Sequence, residues 1–405
     1  MTSSPYDVVV IGGGIIGLSS ALHIIQRFPK TSVAVLEKES QIGLHQTGHN
    51  SGVIHSGIYY RPGSQKARFC VSGVEDLKRY CREKGIEYDE CGKVIMATDE
   101  SEIPRLEELY RRGTDNGVPG LELIGPERLK EIEPHARGIK ALYAPKTAIV
   151  DFQRVAVAYV EDIQEGGGDI LTGQKVQRIA RSNGKLVLET NQGSVVSRHL
   201  INCAGLYADK VARMMGVPPN VRILPFRGEY YVLRPQSREL VKGLLYPVPD
   251  PRFPFLGVHY TKRVNGEVEA GPNAVLAWAR EGYKKTAINI PEALGNLAFM
   301  GFWRMARRTW RMGLAEMHRS VVKSVFVKDL QKLVPEIRSE DLVRGGAGVR
   351  AQAVDRQGAL LDDFSIEESQ GAIHVLNAPS PGATSSLSIG RHIADLAARS
   401  FRLEG

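Results

Sequence analysis

The chain has 405 residues and a mass of 44.5 kDa, more than one hydrophobic core usually serves, so we expect two domains. Hydrophobic residues make up 42% and charged residues 24%, which excludes a disordered or fibrous protein. A formal net charge of +8 favours an anionic partner, whether an acidic substrate, a nucleic acid or a membrane surface. The four cysteines form no CxxC pair, so we expect neither a metal site nor a disulfide scaffold.

The N-terminus predicts a cytoplasmic protein of bacterial type. Five residues precede the first predicted strand, which leaves no room for a signal or transit peptide. No apolar run approaches the ~20 residues that a bilayer-spanning helix needs. We therefore expect any membrane contact to be peripheral.

The first 36 residues predict a complete βαβ unit. Residues 6–11 (YDVVVI) form the apolar run of a buried parallel strand and lead directly into GGGIIG at 12–17. Apolar residues then recur at helical spacing until Phe28 and Pro29. Residues 32–36 (SVAVL) supply the second strand.

The Gly-rich turn has the GxGxxG spacing of a dinucleotide-binding loop. Gly12 permits the tight turn, Gly14 lets the backbone approach a pyrophosphate, and Gly17 allows the helix to pack closely on the strand. Glu37, at the end of the second strand, is placed to accept hydrogen bonds from a ribose, and its charge disfavours NADP. The motif predicts a dinucleotide but does not distinguish NAD from FAD.

Four later segments resemble the D-amino-acid-oxidase-like superfamily of FAD enzymes. They are residues 43–60, rich in glycine and histidine, residues 200–209 (LINCAGLYAD), 345–352 (GGAGVRAQ) and 377–389 (NAPSPGATSSLSI). The last segment predicts a C-terminal helix ending near Phe401, whose N-terminus would stabilise negative charge on a reduced flavin. The resemblance implies FAD as cofactor, with contacts at Ser51, Gly52, Ala204, Gly205, Pro381, Gly382 and Ser385, and Ser385 as the helix cap.

Longer motifs resemble the L-2-hydroxyglutarate oxidase or dehydrogenase family. This resemblance implies that FAD takes a hydride from L-2-hydroxyglutarate, a dicarboxylate, to give 2-oxoglutarate, and that electrons pass to an acceptor such as a membrane quinone. Mitochondrial members carry a transit extension, so we expect a bacterial member. The motifs are residues 49–64 (HNSGVIHSGIYYRPGS), 225–233 (PFRGEYYVL), 255–261 (FLGVHYT), 271–283 (GPNAVLAWAREGY) and 348–355 (GVRAQAVD).

The resemblance also implies an α/β fold in which a Rossmann-like FAD-binding domain is interleaved with an antiparallel-sheet substrate domain. We expect residues 1–82, 145–212 and 342–405 to form the FAD-binding domain around one mixed sheet. Residues 83–144 and 213–341 should form the substrate domain, a roof over the flavin. Strand-like runs such as residues 93–97 and 229–233 agree with this assignment.

Oxidation of a 2-hydroxy acid requires a base for the hydroxyl proton and cations for the carboxylates. A histidine with a pKa of ~6.5 offers a neutral, accepting nitrogen at neutral pH. We therefore expect His259 as the base or a substrate contact, His55 near the flavin, and Arg350, in a Gly-rich loop, on the C1 carboxylate. Structural roles are the alternative for each. Weaker candidates for substrate contacts are Arg227, Arg61, Tyr60 and Tyr231.

Residues near 291–320 predict a cationic amphipathic helix that begins at Pro291. Either this helix packs on its own domain with solvated arginines, or it lies on a membrane with tryptophans at headgroup level and arginines on lipid phosphates. We favour the second, which predicts peripheral association with the inner membrane and access to a quinone. One stripe carries Arg304, Arg307, Arg308 and Arg311, and its apolar neighbour carries Phe299, Trp303, Ala306, Trp310 and Leu314.

Three other functions compete with this interpretation. An oxygen-using amine oxidase of the sarcosine or glycine type shares the superfamily. An RNA-modifying flavoprotein would explain the net charge, but the basic residues cluster with tryptophan on one helix, so we expect no nucleic-acid partner. A dinucleotide sensor would not need two histidines and an arginine converging on a flavin. The oligomeric state is not indicated.

Overall fold

Two large β-sheets organise the chain, which a computed structural model describes over residues 4–250 and 256–404. One sheet has eight strands, the other has nine, and a small third sheet has three. The first residue of the 255–261 motif lies outside the described residues. In chain order the strands are β1 Tyr6–Ile11, β2 Val33–Leu36, β3 Val53–Ile54, β4 Tyr88–Asp89, β5 Lys93–Ala97, β6 Glu122–Ile124, β7 Lys140–Ala144, β8 Ala148–Val150, β9 Asp169–Leu171, β10 Val176–Ser182, β11 Lys185–Thr190, β12 Gly193–Asn202, β13 Val221–Leu233, β14 Leu244–Pro247, β15 His259–Lys262, β16 Val268–Gly271, β17 Val275–Leu276, β18 Leu342–Asp355, β19 Ser365–Ser369 and β20 Ala372–Asn377.

Helices cover the first sheet and connect the strands of both. The helix expected after the Gly-rich turn and the C-terminal helix expected to end near Phe401 are both present. Short 3-10 helices span Glu100–Glu102, Gly205–Tyr207, Pro235–Leu240 and Ser339–Asp341. In chain order the α-helices are α1 Ile15–Arg27, α2 Gln65–Glu83, α3 Ile103–Asp115, α4 Pro126–Ile132, α5 Phe152–Glu165, α6 Ala208–Met214, α7 Ile290–Leu297, α8 Met300–Val321, α9 Lys323–Gln331 and α10 Ser386–Phe401.

The first sheet is mixed and has β1 at its centre. β1 pairs in parallel with β2 and β12, and β20 and β9 extend the parallel part on either side. β10, β11 and β19 add antiparallel strands. The carboxyl ends of the parallel strands therefore meet at one edge, which confirms the Rossmann-like class that the resemblance implied.

The first and last helices pack together on this sheet. Leu18 and Leu22 of α1 and Ile393 of α10 are buried in one core with the side chains of β1. Gly390 of α10 approaches Ser19 of α1 so closely that an added Cβ would lie 2.7 Å from the Ser19 carbonyl oxygen. A glycine is required at this crossing because any side chain would separate the two helices.

The second sheet contains the predicted strands at 93–97 and 229–233, as β5 and part of β13. Its pairs are antiparallel except that β5 and β14 run parallel, so the wholly antiparallel roof that we expected is wrong in this one pairing. Antiparallel sheets tolerate such a pair where a long connection links the two strands.

One segment belongs to a different sheet than expected. β18 pairs with β13 along its length, from Val221 opposite Asp355 to Leu233 opposite Leu342. Residues 342–355, which the resemblance assigns to the FAD-binding domain, are therefore part of the second sheet. Their glycines suggested a loop, but glycine is tolerated in a strand where another backbone approaches.

The cationic segment forms two helices. Pro291 lies in the first turn of α7, and the Asn289 side chain accepts a hydrogen bond from the Glu292 N–H at its N-cap. The chain leaves helical geometry at Phe299, the N-cap of α8, so Phe299 is not on the apolar stripe of the following helix. None of the helices in the described residues has the length and apolar character needed to cross a bilayer.

α8 has three distinct faces, at about 100° per residue. Phe302 and Met305 are buried against the body of the protein. Large apolar side chains on the opposite side are exposed, including Trp303 at 54% and Trp310 at 55%. The exposed stripe comprises Trp303, Trp310, Leu314, Met317 and Val321, and the exposed arginines beside it are Arg304, Arg307, Arg308 and Arg311.

Candidate active site

A large cavity is lined by the carboxyl ends of the parallel strands and by residues of the second sheet. Its volume is about 1660 Å³, which exceeds the roughly 300–1,000 Å³ of most small-molecule sites. Open α/β sheets bind ligands outside the carboxyl ends of their strands. Residues that follow β1, β2, β12 and β20 all line it, namely Gly12, Glu37, Cys203 and Ala378.

The Gly-rich turn is closed by backbone contacts that exclude side chains. Gly12 has a φ of +112°, and an added Cβ there would lie 2.3 Å from the Cys203 carbonyl oxygen. A Cβ on Gly17 would lie 2.0 Å from the Gly12 carbonyl oxygen. Gly14 lines the cavity at the N-cap of α1. The turn therefore offers backbone rather than side chains to the cavity.

Glu37 is held at the cavity wall by two backbone donors. Its Oε2 accepts from the Gly13 N–H at 2.8 Å and its Oε1 from the Glu39 N–H at 2.9 Å. A carboxylate has about four acceptor sites, so two remain for ribose hydroxyls. Burial of the carboxylate beside the turn fixes its orientation before a ligand arrives.

Two helix N-termini at this cavity lack side-chain caps. Neither α1 nor α10 has an acidic residue in its first turn or a capping hydrogen bond from its N-cap side chain. Ser385 takes the N-cap position of α10 as expected, but its hydroxyl does not cap the helix, has no partner among the described residues and does not line the cavity. Both termini can thus stabilise negative charge on a ligand.

Of the other six expected cofactor contacts, five line the cavity and one does not. Ser51, Ala204, Gly205, Pro381 and Gly382 line it. Gly52 lies behind the wall, where an added Cβ would be 3.0 Å from the Val150 carbonyl oxygen. The side-chain-free turn, the ordered carboxylate and the two uncapped helix termini fit FAD, whose pyrophosphate, ribose and ring system need these three kinds of contact.

His259 is set up as a proton acceptor. Its side chain is 4% exposed, and its Nδ1 lies 2.8 Å from the Gly257 carbonyl oxygen, so Nδ1 carries the proton and Nε2 accepts. The ring stacks on Tyr246 with centroids 3.8 Å apart. Burial lowers the His259 pKa to about 3, with a smaller contribution from the charges of Lys93 and Arg350 and against the opposing effect of the Gly257 hydrogen bond. The imidazole is neutral at physiological pH.

His55 lines the same cavity from the loop after β3. Its backbone N–H donates to the Thr384 hydroxyl at 3.0 Å, and its carbonyl accepts from the Cys70 thiol at 3.0 Å. Its Nδ1 is buried without a partner among the described residues, and burial holds its pKa well below the usual value. His55 therefore offers a second neutral ring to a ligand.

Arg350 lines the cavity from the middle of β18, opposite Phe226 of β13. The expectation that Arg350 lies in a Gly-rich loop is wrong. Two residues earlier, a Cβ at Gly348 would lie 2.6 Å from the His49 carbonyl oxygen. The glycine thus allows the loop that contains His49 to pass close to the strand.

Of the four weaker candidates for substrate contacts, two line the cavity and two do not. Tyr60 and Arg61 line the cavity. Arg227 does not: its Nε and Nη2 each donate to Glu229 Oε1 at 3.0 Å. Tyr231 packs on Phe326 instead, with centroids 4.9 Å apart. Because side chains alternate along a strand, the preceding residue, Tyr230, lines the cavity in its place.

Three residues near the histidines were not expected from the sequence. Tyr59 and Tyr246 line the cavity, and Lys93 lies behind them. The lysine opens a strand of otherwise apolar residues, KVIMA, where every position is buried. A charge inside such a run is the one signal that could have identified it.

An ion-pair cluster joins the two parts of the structure at the cavity rim. Glu39, His45 and Glu281 place ligand-type atoms within 4.8 Å of one another. The Lys38 ammonium pairs with Glu39 and, at 2.5 Å, with Glu281, and lies 2.8 Å from His45 Nε2. A lysine thus already supplies the positive charge that a metal would bring.

The family described as FAD dependent oxidoreductase matches residues 7–396 of the chain. The chain is 50% identical over 397 residues to L-2-hydroxyglutarate dehydrogenase from Indibacter alkaliphilus, covering 98% of this chain and 100% of that protein. It is 46% identical to the mitochondrial L-2-hydroxyglutarate dehydrogenase of Homo sapiens, covering 99% of this chain and 90% of that protein.

Among solved structures, the fold is similar to that of a dithionite-reduced L-alpha-glycerophosphate oxidase from Mycoplasma pneumoniae with FAD bound. The TM-score is 0.79 at 22% identity, over 97% of this chain and 95% of that one. At this identity the likeness supports the fold.

Proposed function

The chain belongs to the L-2-hydroxyglutarate dehydrogenase family of FAD-dependent oxidoreductases, and on that basis we propose that it oxidises L-2-hydroxyglutarate to 2-oxoglutarate. The observation that carries the proposal is the pairing of a neutral, buried His259 with Arg350 on one cavity wall. A base beside a guanidinium suits a substrate that carries a hydroxyl next to a carboxylate.

Arg350 and His259 would have different roles around the substrate. Arg350 binds the C1 carboxylate, and His259 Nε2 accepts the hydroxyl proton as the C2–H bond breaks and the C–O bond becomes a carbonyl. His259 can do so because its Nδ1–H is already donated to Gly257. When bound, FAD supplies the acceptor for the hydride, which no side chain can provide.

The cofactor would be held by the elements that meet at the sheet edge. The turn at Gly12 and Gly14 and the N-terminus of α1 would face the pyrophosphate, and Glu37 the ribose. The uncapped N-terminus of α10 would stabilise negative charge that develops on the ring.

Anaerobic bleaching of the bound flavin tests this proposal. L-2-hydroxyglutarate should reduce the flavin, and D-2-hydroxyglutarate should not, because base and guanidinium are fixed around one face of C2. Reduction by sarcosine or glycine instead would favour an amine oxidase. Equal reduction by both enantiomers, or by neither, would contradict the proposal.

We further propose that α8 attaches the enzyme to a membrane whose quinone accepts the electrons. The support is the arrangement on this helix, where an exposed stripe from Trp303 to Val321 runs beside four exposed arginines. Tryptophan favours the headgroup region and arginine binds anionic phosphates. Such a surface would place a cytoplasmic enzyme at the inner membrane.

A further inference from the structure

Lys93 is a buried cation that the oxidation described above does not use. It is 1% exposed at the start of β5. Its Nζ lies 4.1 Å from the ring centroid of Tyr246 and 5.2 Å from that of Tyr59. Among the described residues, the groups that raise the pKa of Lys93 are the thiols of Cys70 and Cys91, and no carboxylate is one of them.

An ammonium in this position is costly to the fold. A charge removed from water without an opposite charge is strongly disfavoured, and burial lowers the pKa of Lys93 to about 7. A methionine would fill a similar volume without that cost. We therefore expect the charge of Lys93 to have a function that an apolar side chain cannot perform.

The lysine is coupled to the reacting wall through one ring. Tyr246 contacts the Lys93 ammonium and also stacks on His259 at 3.8 Å. Lys93 does not itself line the cavity. Its charge nevertheless acts on both cavity histidines, lowering the pKa of His55 and of His259.

We propose that Lys93 is a titratable positioning residue that sets the affinity of the cavity for a dicarboxylate from behind the Tyr246 ring. The inference rests on the proposed function, because that function supplies the doubly negative substrate. When Lys93 is protonated, its charge adds to that of Arg350 and attracts the dianion. When Lys93 is neutral, Arg350 acts alone.

The titratable groups around Lys93 have pKa values that lie outside the range in which Lys93 loses its proton. His55 and His259 have lowered pKa values. Tyr59, Tyr230 and Tyr246 have raised ones, as do Cys70 and Cys91. Burial lowers the pKa of Arg350, but from so high a value that the guanidinium stays charged. Between about pH 6 and pH 8.5, Lys93 is thus the described group at this wall whose charge changes.

The test is a binding titration that needs no turnover. Glutarate, which has the carbon skeleton of the proposed substrate without its hydroxyl, is titrated into the oxidised holoenzyme, and the flavin absorbance shift gives Kd. The wild-type Kd should rise about tenfold from pH 6 to pH 8.5 as the buried charge is lost. Lys93→Met should bind weakly at both pH values, and Lys93→Arg tightly at both.

Lys140→Met removes a partly exposed charge from the adjacent strand β7 and should retain the wild-type dependence on pH. A wild-type Kd that does not change with pH, or a pH dependence that persists in Lys93→Met, would overturn the inference. If Lys93→Met does not fold, Lys93→Arg provides the same test, because its Kd for glutarate should not change between pH 6 and pH 8.5. A Kd that still rises with pH in Lys93→Arg would overturn the inference. Failure of L-2-hydroxyglutarate to bleach the flavin would overturn the proposed function alone, because the glutarate titration reads Lys93 independently.

Discussion

Positive charge is concentrated in two regions of the molecule. It is buried in one region and exposed to solvent in the other. In the second sheet, Arg350 lies at the cavity wall and Lys93 lies behind it, and burial lowers the pKa of both. On α8, four exposed arginines lie beside exposed tryptophans. The first region holds few charges with strong local effects, and the second holds several charges with weak ones.

The solvent around each region explains the difference. Two unit charges 4 Å apart interact by about 1 kcal/mol in bulk water and by about 4 kcal/mol in a partly buried environment. Salt screens exposed charges beyond about 8 Å at physiological ionic strength. Ligand binding at the cavity should therefore resist salt, whereas attachment through α8 should not.

The largest effect is expected at the base. His259→Ala should slow flavin reduction by L-2-hydroxyglutarate about 10²–10⁴-fold, the usual contribution of a positioned base. Rapid-mixing absorbance under anaerobic conditions measures this rate. Flavin content should be unchanged, and His135→Ala, at a surface histidine paired with Glu336, should behave as wild type. A near-normal rate in His259→Ala would remove this residue from the chemistry.

The second-largest effect is expected at Arg350, where substitution should weaken substrate binding. Arg350→Ala should raise the KM for L-2-hydroxyglutarate about 100-fold, since hydrogen bonds to charged groups contribute roughly 1.5–3 kcal/mol each. Arg350→Lys should not restore it, because an ammonium lacks the planar fork of the guanidinium. Steady-state kinetics with a soluble dye measures both variants. Full rescue by lysine would mean that charge alone, rather than bidentate geometry, holds the carboxylate.

Lys93 should make stability depend on pH. Its pKa is about 7 in the folded protein and near 10.5 in the unfolded chain, so the unfolded chain binds more protons between these values. The free energy of unfolding should therefore rise with pH across this window, by a few kcal/mol. Denaturant unfolding of wild type and Lys93→Met at pH 7 and pH 9.5 measures the difference, which should shrink as pH rises. A constant difference would show that Lys93 does not titrate there.

The smallest effect per residue is expected on α8. Replacing any one of Arg304, Arg307, Arg308 or Arg311 with Gln should weaken association with anionic vesicles several-fold, since each contributes about 1 kcal/mol. The fourfold variant should no longer sediment with vesicles and should lose activity with a membrane quinone, but keep it with a soluble dye. Added salt should act on the wild type in the same direction.

A matched control keeps the net charge change constant. Exposed arginines on other surfaces, Arg111, Arg178, Arg198 and Arg338, can be replaced with Gln together, and this variant should still sediment. If both fourfold variants lose vesicle binding equally, net charge rather than the α8 surface is responsible. Binding to neutral vesicles alone would assign the attachment to the tryptophans.

Local patterns in the sequence were sufficient for the cofactor region. The strand, turn, helix and strand from Tyr6 to Leu36 are contiguous, so periodicity and glycine spacing alone place Gly12, Gly14 and Glu37 at one sheet edge. The cavity wall opposite is different because it is assembled from β13, β14, β15 and β18, which are not contiguous in the chain.

Errors in that wall have identifiable causes. The register of β13 against β18 shifts between Glu229 and Tyr231, so which tyrosine faces the cavity depends on a bulge that the sequence does not reveal. Arg350 was assigned to a loop because its flanking glycines suggested one. Lys93 was missed because its importance comes from Tyr246, 153 positions later in the chain.

The packing of α1 on α10 determines when the protein can acquire its cofactor. Ser19 and Gly390, which touch in the native structure, are roughly 370 residues apart in the chain. At about 5–20 residues per second, a ribosome needs roughly 20–70 s to make the intervening segment. During that time the first βαβ unit lacks β20 and the helix that covers it, and the wall that closes on the flavin is incomplete. We therefore expect FAD to be loaded only after β20 and α10 have been synthesised, and we expect the apolar first strand to lack its native cover until then.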